Sequence, residues 1–426
     1  MNKLLVIPLL ALILLTIDYY VFQGIKTATQ GFSDTTRYYL HAAYWGITAL
    51  TMIGLFVYHF VDPYWLGRNV RTAIMVGIFT NYVSKFVMIF FLLIDEIWRV
   101  IQWIYYKIAG TTPAPVTDVA PPAPVSDVPV ISRSEFLAKA GVIAATVPIA
   151  GISWGIISGA HDYRVRKKTI FLPNLPKSFD GISIGQISDI HSGSFWNRTA
   201  VKGGVETLMK EKPDVILFTG DLVNNQADEM RDYIEVFNKV SAPLGVYSTL
   251  GNHDYGDYVS WPSAQAKVKN LQTLMEIHRA MGWDILMNEH RILKEGDDKI
   301  AILGIENWGA KARFPKYGKM TEAYRGTESI PVKVLLSHDP SHWRAEVIPQ
   351  YPDIDLTFSG HTHGMQFGVE IGDFKWSPVQ YVYEEWADLY RHENQYLYVN
   401  RGFGYLGFPG RIGIPPEITV IELKRG

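Results

Sequence analysis

Four long apolar stretches lie within the first 160 residues of this 426-residue chain. A helix of roughly 20 apolar residues is long enough to cross the hydrocarbon core of a bilayer. Only two charged residues, Asp18 and Lys85, interrupt the stretches, which occupy residues 4–22, 40–61, 72–94 and 140–160. We therefore predict an integral membrane protein with four spans, with three or five as the alternatives, in which Lys85 either extends towards the lipid headgroups or faces other helices.

A cleavable signal peptide is the alternative interpretation of residues 4–22. Such peptides begin with a positively charged segment and end at a cleavage site of small residues. Lys3 is the only charge before this apolar stretch, and no small-x-small pattern follows it closely. We favour a membrane anchor.

The segment between the third and fourth stretches is rich in proline, and "PAPVTDV" is nearly repeated as "PAPVSDV". Proline at this density prevents a continuous helix and favours an extended, solvated linker. The expected organisation is membrane helices in residues 1–107, the linker in 108–132, a fourth membrane helix in 133–163 and a water-soluble domain in 164–426.

The chain after Arg164 alternates short β-branched runs with segments of helical spacing. The runs are "GISIGQISDIH", "DVILFTGD", "GVYSTLGNHD", "KIAILGIEN", "VKVLLSHDP", "DLTFSGHTHG", "YLYVNRGFG" and "EITVIEL". Several are far enough apart for an intervening helix, such as one over residues 199–212. This alternation predicts an α/β domain with buried sheets.

Polar residues follow five of these runs directly, at the point where each predicted strand ends. In α/β domains ligands gather at the carboxyl ends of strands, where the loops converge on one rim. Gly220, Gly251 and Gly360 precede three of the polar groups, and we expect them to allow sharp backbone turns. In chain order the polar residues are Asp189, His191, Asp221, Asn252, His253, Asp254, His338, His361 and His363.

The composition narrows the chemistry of such a site. The chain has no cysteine, which excludes disulfides, thiolate catalysis and zinc–thiolate sites. Its 40 Lys and Arg residues nearly balance 42 Asp and Glu residues, so nothing indicates nucleic-acid binding. Imidazole and carboxylate groups suit two divalent ions such as manganese, iron or zinc, whereas magnesium alone prefers oxygen ligands. Any one of these residues alone is explained by a loop hydrogen bond, but five successive strand ends favour a metal site.

The order D-x-H, G-D, G-N-H-D, H and G-H-x-H across residues 182–364 resembles the calcineurin-like metallophosphoesterase family. The resemblance implies a four-layer α/β/β/α sandwich as the catalytic domain, here preceded by an all-α transmembrane region. It also implies two divalent metal ions, with manganese expected and iron, zinc or magnesium as alternatives. By this resemblance Asp189, His191 and His363 hold one ion, Asn252, His338 and His361 hold the other, Asp221 bridges them, and His253 is catalytic and oriented by Asp254.

Such a pair of ions implies attack by a metal-bound hydroxide on phosphorus, in line with the leaving group. We expect His253 to donate a proton to the leaving oxygen or to stabilise the transition state by its charge. A purely supporting hydrogen bond is the alternative role for this histidine.

A narrower resemblance concerns the segments "RVRKKTIFLPNLPKSFDGISIGQISDIHSG" and "NRGFGYLGFPGRIGIPPEITVIEL". They are similar to membrane-associated phosphohydrolases, a branch that includes UDP-2,3-diacylglucosamine pyrophosphatases of lipid A synthesis. This similarity implies a phosphodiesterase or pyrophosphatase with a lipid-linked substrate. Aromatic residues near the metal motifs fit contact with lipid, although ordinary core packing is the alternative; they are Phe367, Phe374, Trp376, Tyr381, Tyr383, Trp386 and Tyr390.

Two arginines in the glycine-rich tail, Arg401 and Arg411, are candidates for binding the substrate phosphate, with a surface salt bridge as the alternative. Trp308, Lys311 and Arg313 form another candidate wall of the site.

The charges around the fourth stretch bear on the side of the membrane. Basic residues cluster within residues 164–168, against Arg133 and Lys139 before the stretch, which favours a cytoplasmic catalytic domain in a bacterial inner membrane. In the opposite sense, "SRSEFLAKAGVIAATVPIAG" resembles a twin-arginine export signal, although Ser134 occupies the place of the second arginine.

Two other classes of function stay open at this point. A non-catalytic scaffold would keep the fold and bind proteins at the membrane. A transporter or receptor with an appended domain would require polar residues inside its spans, and Lys85 gives thin support for that.

Overall fold

The computed structural model describes residues 3–61, 63–110, 131–311 and 314–426. The chain divides into two compact units, Met1–Ser153 and Trp154–Gly426. Nearly all of the predicted linker and the candidate wall residue Arg313 lie outside the described residues.

The first unit is helical throughout its described residues, apart from short connections. Four of its helices, α1, α2, α4 and α5, are long and apolar enough to cross a membrane, as predicted. Ser33 caps the start of α2, where its hydroxyl accepts a hydrogen bond from the Thr36 amide at 3.2 Å. The helices are α1 Lys3–Ala28, α2 Asp34–Phe60, α3 Pro63–Leu66, α4 Arg68–Ala109 and α5 Arg133–Ile157, of which the last turn of α5 belongs to the second unit.

Lys85 of α4 faces other helices, which decides between its two predicted positions. Its ammonium group is paired with the Asp18 carboxylate of α1, and both side chains are buried. Tyr82 donates a hydrogen bond to the same carboxylate at 3.0 Å, and Tyr44 of α2 donates to the Asp18 carbonyl at 2.8 Å. Burial of a charge among apolar helices is tolerated because these partners satisfy it.

The second unit contains two six-stranded sheets and one two-stranded hairpin among its described residues. The sheet orders are β1-β14-β2-β3-β4-β5 and β12-β13-β9-β8-β7-β6. The strands are β1 Arg164–Leu172, β2 Ser183–Ile187, β3 Val215–Phe218, β4 Val246–Ser248, β5 Asp284–Ile285, β6 Glu289–Glu295, β7 Asp298–Gly304, β8 Lys333–Leu336, β9 Leu356–Ser359, β10 Val369–Ile371, β11 Phe374–Trp376, β12 Asp388–His392, β13 Gln395–Val399 and β14 Glu417–Arg425. The α-helices are α6 Arg198–Lys210, α7 Ile234–Phe237, α8 Ala264–Ala280, α9 Met320–Tyr324 and α10 Ile348–Gln350.

The two sheets pack face to face, and each carries helices on its outer face. Alternate residues of a strand point to opposite faces, so a strand buried on both sides is apolar throughout. In β3, Leu217 packs between the sheets, whereas Phe218 packs against the helical layer that includes α6 and α8. In β8, Leu336 lies between the sheets and Leu335 faces Trp343 on the other side. These three cores give the expected four-layer α/β/β/α sandwich.

All eight predicted runs form strands, and the helix expected over residues 199–212 is α6. The strands that were not predicted lie mainly at sheet edges. β1 pairs in parallel with β14 and forms the edge of its sheet, which explains its many lysine and arginine side chains. The central strands β2, β3 and β4 are parallel, as are β7, β8, β9 and β13, so several strands end on the same side.

Candidate metal centre

The predicted polar residues come together where the carboxyl ends of both sheets meet. The loops after β2, β3 and β4 carry the residues from Asp189 to Asp254, and the loops after β8 and β9 carry His338, His361 and His363. The prediction assumed one rim of one sheet, whereas each sheet contributes part of the site. Parallel strands at the centre of each sheet bring the two sets of loops together.

Five of these residues have a left-handed backbone, which is uncommon for residues other than glycine. Strained backbone of this kind persists where the surrounding structure enforces it, and it clusters at functional sites. A positive φ turns each side chain away from its strand and into the space between the loops. The residues are Asp189, His191, Asp221, His361 and His363, with φ between 48° and 70°.

The glycines that precede the polar residues serve two different purposes. Gly220 has a φ of 100°, as expected for a sharp turn. Gly251 and Gly360 lack a positive φ and are needed because of close packing instead. A Cβ atom on Gly251 would collide with the Asp221 carboxylate, and one on Gly360 would collide with Asp189.

Asp189, His191 and His363 form the first group of candidate ligands, and all three are buried. The Nε2 atoms of His191 and His363 lie 3.0 Å apart. The Asp189 Oδ1 atom lies 3.2 Å from His363 Nε2. Their nitrogen and oxygen atoms therefore face one small common space.

Asp221, His338 and His361 form the second group. His338 Nδ1 donates a hydrogen bond to the Thr219 carbonyl at 2.7 Å, which directs the Nε2 atom towards the site. His361 Nδ1 lies 3.3 Å from that nitrogen and 2.8 Å from the Asn252 Oδ1 atom. Asn252 is therefore placed to add a fourth ligand atom.

Asp221 lies between the two groups. Its Oδ2 atom is 3.5 Å from His191 Nε2 and 3.1 Å from His338 Nε2. One carboxylate oxygen thus contacts a histidine of each group, which is the position of a ligand shared by two ions.

The electrostatics of the centre favour ionised carboxylates. Burial opposes ionisation of Asp221, but the neighbouring His338 outweighs it and holds the Asp221 pKa well below its ordinary value. The Asp189 pKa is likewise lowered against burial, chiefly by His363. Burial lowers the pKa of His191 well below 6.5, so this imidazole is neutral and available as a ligand.

The donor set fits two divalent cations of borderline character. Each group offers imidazole nitrogen and carboxylate oxygen, with no sulfur, and the ligand atoms within each group lie within 4.8 Å of one another. Two imidazole nitrogens at 3.0 Å, as in His191 and His363, direct lone pairs at the same point unless a proton or a cation separates them. A cation at each position satisfies these lone pairs.

His253 lies beside the first group, with its ring centroid 5.0 Å from that of His191. Its Nδ1 atom donates a hydrogen bond to the Asn224 carbonyl at 2.8 Å, so the proposed orientation by Asp254 is replaced by a backbone contact. The Asp254 Oδ2 atom instead accepts the backbone N–H groups of Asp221 and Gly251, each at 2.9 Å, and its Oδ1 atom accepts that of Leu222 at 2.8 Å. Asp254 therefore fixes the loops that carry the ligands.

Family comparisons agree with this geometry. Residues 2–160 match the family described as "Probable Calcineurin-like phosphoesterase, transmembrane domain", and residues 182–365 match "Calcineurin-like phosphoesterase". The chain is 32% identical over 302 residues to the uncharacterised metallophosphoesterase YkuE of Bacillus subtilis, in an alignment that covers 69% of this chain and 98% of YkuE. The chain belongs to the calcineurin-like metallophosphoesterase family. Together with four described helices that are long and apolar enough to cross a membrane, this makes it a membrane-associated member of that family.

Two vertebrate relatives combine the same parts. A "Transmembrane protein with metallophosphoesterase domain" of Danio rerio is 31% identical over 293 residues, which cover 67% of this chain and 62% of the relative. The protein of the same description in Bos taurus is 28% identical over 300 residues, which cover 69% and 64%. The chain therefore spans less than two thirds of the length of these two relatives.

Three site residues of this metallophosphoesterase were missed or misassigned by sequence reasoning. Tyr383, predicted only as an aromatic near the site, has its hydroxyl 3.0 Å from His361 Nε2 and donates to Asp339 Oδ2 at 3.3 Å. Tyr258 accepts a hydrogen bond from the Asn252 amide at 2.8 Å, which turns the amide oxygen towards the site. Asp339 directly follows His338 in the run "SHDP", the one available signal for it.

The two tail arginines are buried, so their positions do not support the predicted binding of substrate phosphate. Arg401 donates hydrogen bonds to Glu417 at 2.6 Å and to Glu370 at 2.8 Å. Arg411 donates to the Gly402 carbonyl at 3.0 Å, and its guanidinium lies 3.4 Å from His363 Nδ1. Both arginines hold the glycine-rich tail in place behind the metal centre.

Proposed function

We propose that this chain hydrolyses a phosphodiester or pyrophosphate bond with two divalent cations, of which manganese is the first to test. The observation that carries this proposal is the Asp221 carboxylate oxygen, which contacts His191 of one ligand group and His338 of the other. A shared carboxylate between two sets of nitrogen and oxygen ligands suits a dinuclear centre and has no comparable use in a scaffold.

Two bound cations would supply an activated water and would neutralise the negative charge that develops on the phosphoryl oxygens. The chain supplies the geometry around them. His253 contributes the proton-transfer group, since its Nδ1 atom is occupied by the Asn224 carbonyl and only Nε2 is left to exchange a proton with the leaving oxygen. The backbone N–H of His253 also donates to Asp221 at 2.8 Å, so ring and bridging carboxylate are held at a fixed spacing.

A lipid-linked substrate, such as UDP-2,3-diacylglucosamine, is the finer part of the proposal. Its support is the set of exposed apolar side chains directly after the second H-x-H histidine, His363. Met365 and Phe367 are exposed there, although side chains of this type are usually buried in a water-soluble domain. A membrane-anchored enzyme meets such a substrate in the plane of the bilayer.

We further propose that the catalytic unit faces the cytoplasm of a bacterial inner membrane. The support is the cluster of basic residues within β1, after α5. A reporter fused after Gly426 tests this: cytosolic fluorescence is expected, and periplasmic alkaline phosphatase activity without fluorescence would reverse the assignment.

The activity is tested with the full chain, purified in detergent and supplied with Mn²⁺. We expect hydrolysis of bis-p-nitrophenyl phosphate, followed by a screen of UDP-diacylglucosamine, phospholipids and nucleotides for the natural class. Asp221→Ala should abolish hydrolysis, whereas His392→Ala, which changes an exposed histidine on the edge strand β12, should leave it unchanged. Absence of hydrolysis with every divalent metal, together with fewer than two bound ions per chain, would favour the scaffold instead.

A further inference from the structure

The hairpin of β10 and β11 directs its polar side chains into the domain. Glu370 and Lys375 are directly opposite each other in the antiparallel register. Glu370 is paired with Arg401 at 2.7 Å and with Arg166, and Lys375 lies over the ring of Tyr390 at 4.9 Å. The charged pair is therefore held by the body of the catalytic unit.

The other face of the same hairpin is apolar and exposed. Val369 pairs with Trp376, and Ile371 pairs with Phe374. Ile371 is 73% exposed, Phe374 is 61% exposed and Val369 is 40% exposed. A surface hairpin ordinarily alternates apolar residues inward and polar residues outward, so this arrangement is reversed. Phe367, Tyr381 and Val382 extend the exposed apolar surface.

A second hairpin of this chain, β6 and β7, shows that the turn itself does not require apolar neighbours. Its turn reads Glu-Gly-Asp-Asp over residues 295–298, whereas the β10–β11 turn reads Ile-Gly-Asp-Phe over residues 371–374. Gly296 and Gly372 occupy the same position and have φ values of 60° and 59°. The two turns thus have the same glycine geometry and differ in the chemistry of the flanking side chains.

The base of the β10–β11 hairpin is connected by backbone hydrogen bonds to the last turn of α5, within the same unit. The Arg411 amide donates to the Gly155 carbonyl of α5 at 3.0 Å. The next residue, Ile412, donates to the Gln366 carbonyl at 2.8 Å and accepts from the Gly368 amide at 2.9 Å. Since hydrogen-bonded backbone segments lie about 5 Å apart, the base of the hairpin lies roughly 10 Å from α5.

α5 is long and apolar enough to cross a bilayer, and this end of it leads into the second unit. The apolar part of the helix, residues 140–157, is about 27 Å long at 1.5 Å per residue, which matches the hydrocarbon thickness of about 30 Å. Trp154 and Ile157 are exposed in its last turn, and tryptophan is typical of the boundary between hydrocarbon and headgroups.

We propose that the tip of the β10–β11 hairpin, Ile371 and Phe374, inserts into the headgroup–acyl boundary of the bilayer that α5 crosses. The occupant of this apolar face is lipid, because the face lies beside the membrane exit of the chain and its polar side is already paired with the protein. The hairpin follows directly after His361 and His363, so its insertion holds the metal centre at the lipid surface. A lipid-linked substrate could then reach the metal centre directly from the bilayer. That consequence rests on the proposed function, whereas insertion of the hairpin does not.

The absence of cysteine from the chain makes a direct test simple. Full-length Ile371→Cys is labelled with an environment-sensitive fluorophore and placed, one chain per disc, in phosphatidylethanolamine–phosphatidylglycerol nanodiscs. Lipids with a doxyl quencher near the headgroup are then added. The matched control is Asp297→Cys, which puts the label on the exposed turn of the β6–β7 hairpin.

We expect blue-shifted emission and severalfold stronger quenching at position 371 than at position 297. Equal quenching at the two positions, or water-like emission at position 371, would overturn the proposal and would favour a protein partner for this face. Hydrolysis of bis-p-nitrophenyl phosphate by the same labelled samples reports the proposed function separately. Quenching without hydrolysis would refute the function alone, and hydrolysis without quenching would refute the insertion alone.

Discussion

Each unit of the molecule buries a cluster of ionisable side chains whose comparison is instructive, because the two clusters are completed differently. In the membrane unit, the Asp18 carboxylate is paired with the Lys85 ammonium, and Tyr82 donates to it at 3.0 Å. In the second unit, the Asp221 carboxylate is surrounded by imidazole nitrogens, among them His338 Nε2 at 3.1 Å. The first cluster is closed by a lysine of the chain, whereas the second gathers imidazole nitrogens and carboxylate oxygens that suit divalent cations.

The difference separates a structural cluster from a functional one. A buried carboxylate must be compensated, because transfer of an isolated charge from water to a protein interior is costly. A lysine supplies that compensation permanently and holds two helices together. Where carboxylates lie among imidazole ligands, a bound divalent ion can compensate the negative charge instead. Such an ion can also take part in chemistry.

The largest expected effect comes from removal of the shared ligand. Asp221→Asn should reduce bound metal below two ions per chain and lower kcat/KM by at least about 10³-fold, since the metal charges are worth several kcal/mol in the transition state and about 1.4 kcal/mol is tenfold in rate. Metal content by mass spectrometry and hydrolysis rates measure this. Asp228→Asn, an exposed residue, is the control. If the metal content of Asp221→Asn were unchanged, Asp221 would not be a shared metal ligand, and the contrast between the two buried clusters would fail.

A smaller effect, confined to the membrane unit, is expected from Lys85→Met. Loss of one partner leaves the Asp18 charge buried and uncompensated, which should lower the free energy of unfolding by about 3 kcal/mol. Unfolding in mixed detergent micelles, with and without EDTA, measures this. Lys26→Met, an exposed lysine of α1, should have little effect.

The double variant Asp18→Leu/Lys85→Met sharpens this test, because removal of both charges should restore most of the stability. The stability that Lys85→Met loses should be the same with and without EDTA. If EDTA changed it, the two clusters would not be independent.

The two clusters also differ in how far the sequence predicted them. The candidate metal ligands could be predicted because each follows an apolar strand in a recognisable order, and parallel strands end together. The Asp18–Lys85 pair joins positions 67 residues apart on different helices. The local sequence does not show which side of each helix faces its neighbour, so the pair could not be predicted. The sequence left two positions for Lys85 for this reason.

Contacts between loops were the part of the metal centre that could not be predicted. Arg401 was predicted to bind substrate phosphate or to form a surface salt bridge, yet it is buried and pairs with Glu370 on the inner face of the β10–β11 hairpin. Asp254 follows His253 in the chain, but the turns around it direct its oxygens to the Asp221 loop. In irregular segments the direction of a side chain depends on the local backbone angles, and hydrophobic periodicity in the sequence does not predict those angles.

The loss of activity that follows removal of the His253 side chain should depend on the leaving group of the substrate. A proton donor matters most when the departing oxygen is a poor leaving group, so His253→Ala should lower kcat about 10²-fold for an alkyl phosphodiester and much less for bis-p-nitrophenyl phosphate. His290→Ala, outside the site, is the control, since its Nδ1 atom contacts the Ala323 carbonyl. An equal loss for both substrates would assign His253 to stabilisation of charge instead of proton donation.

The smallest expected effect tests the chain of contacts behind the second ligand group. If His361 faces the cation through Nδ1, its Nε2 atom carries the proton and donates to the Tyr383 oxygen at 3.0 Å, and the Tyr383 hydroxyl donates to Asp339. Tyr383→Phe removes this acceptor and should weaken Mn²⁺ binding about 10-fold. At saturating Mn²⁺, kcat should be nearly unchanged. Tyr381→Phe, an exposed neighbour, is the matched control. Loss of kcat at saturating metal would instead place the Tyr383 hydroxyl in contact with the substrate.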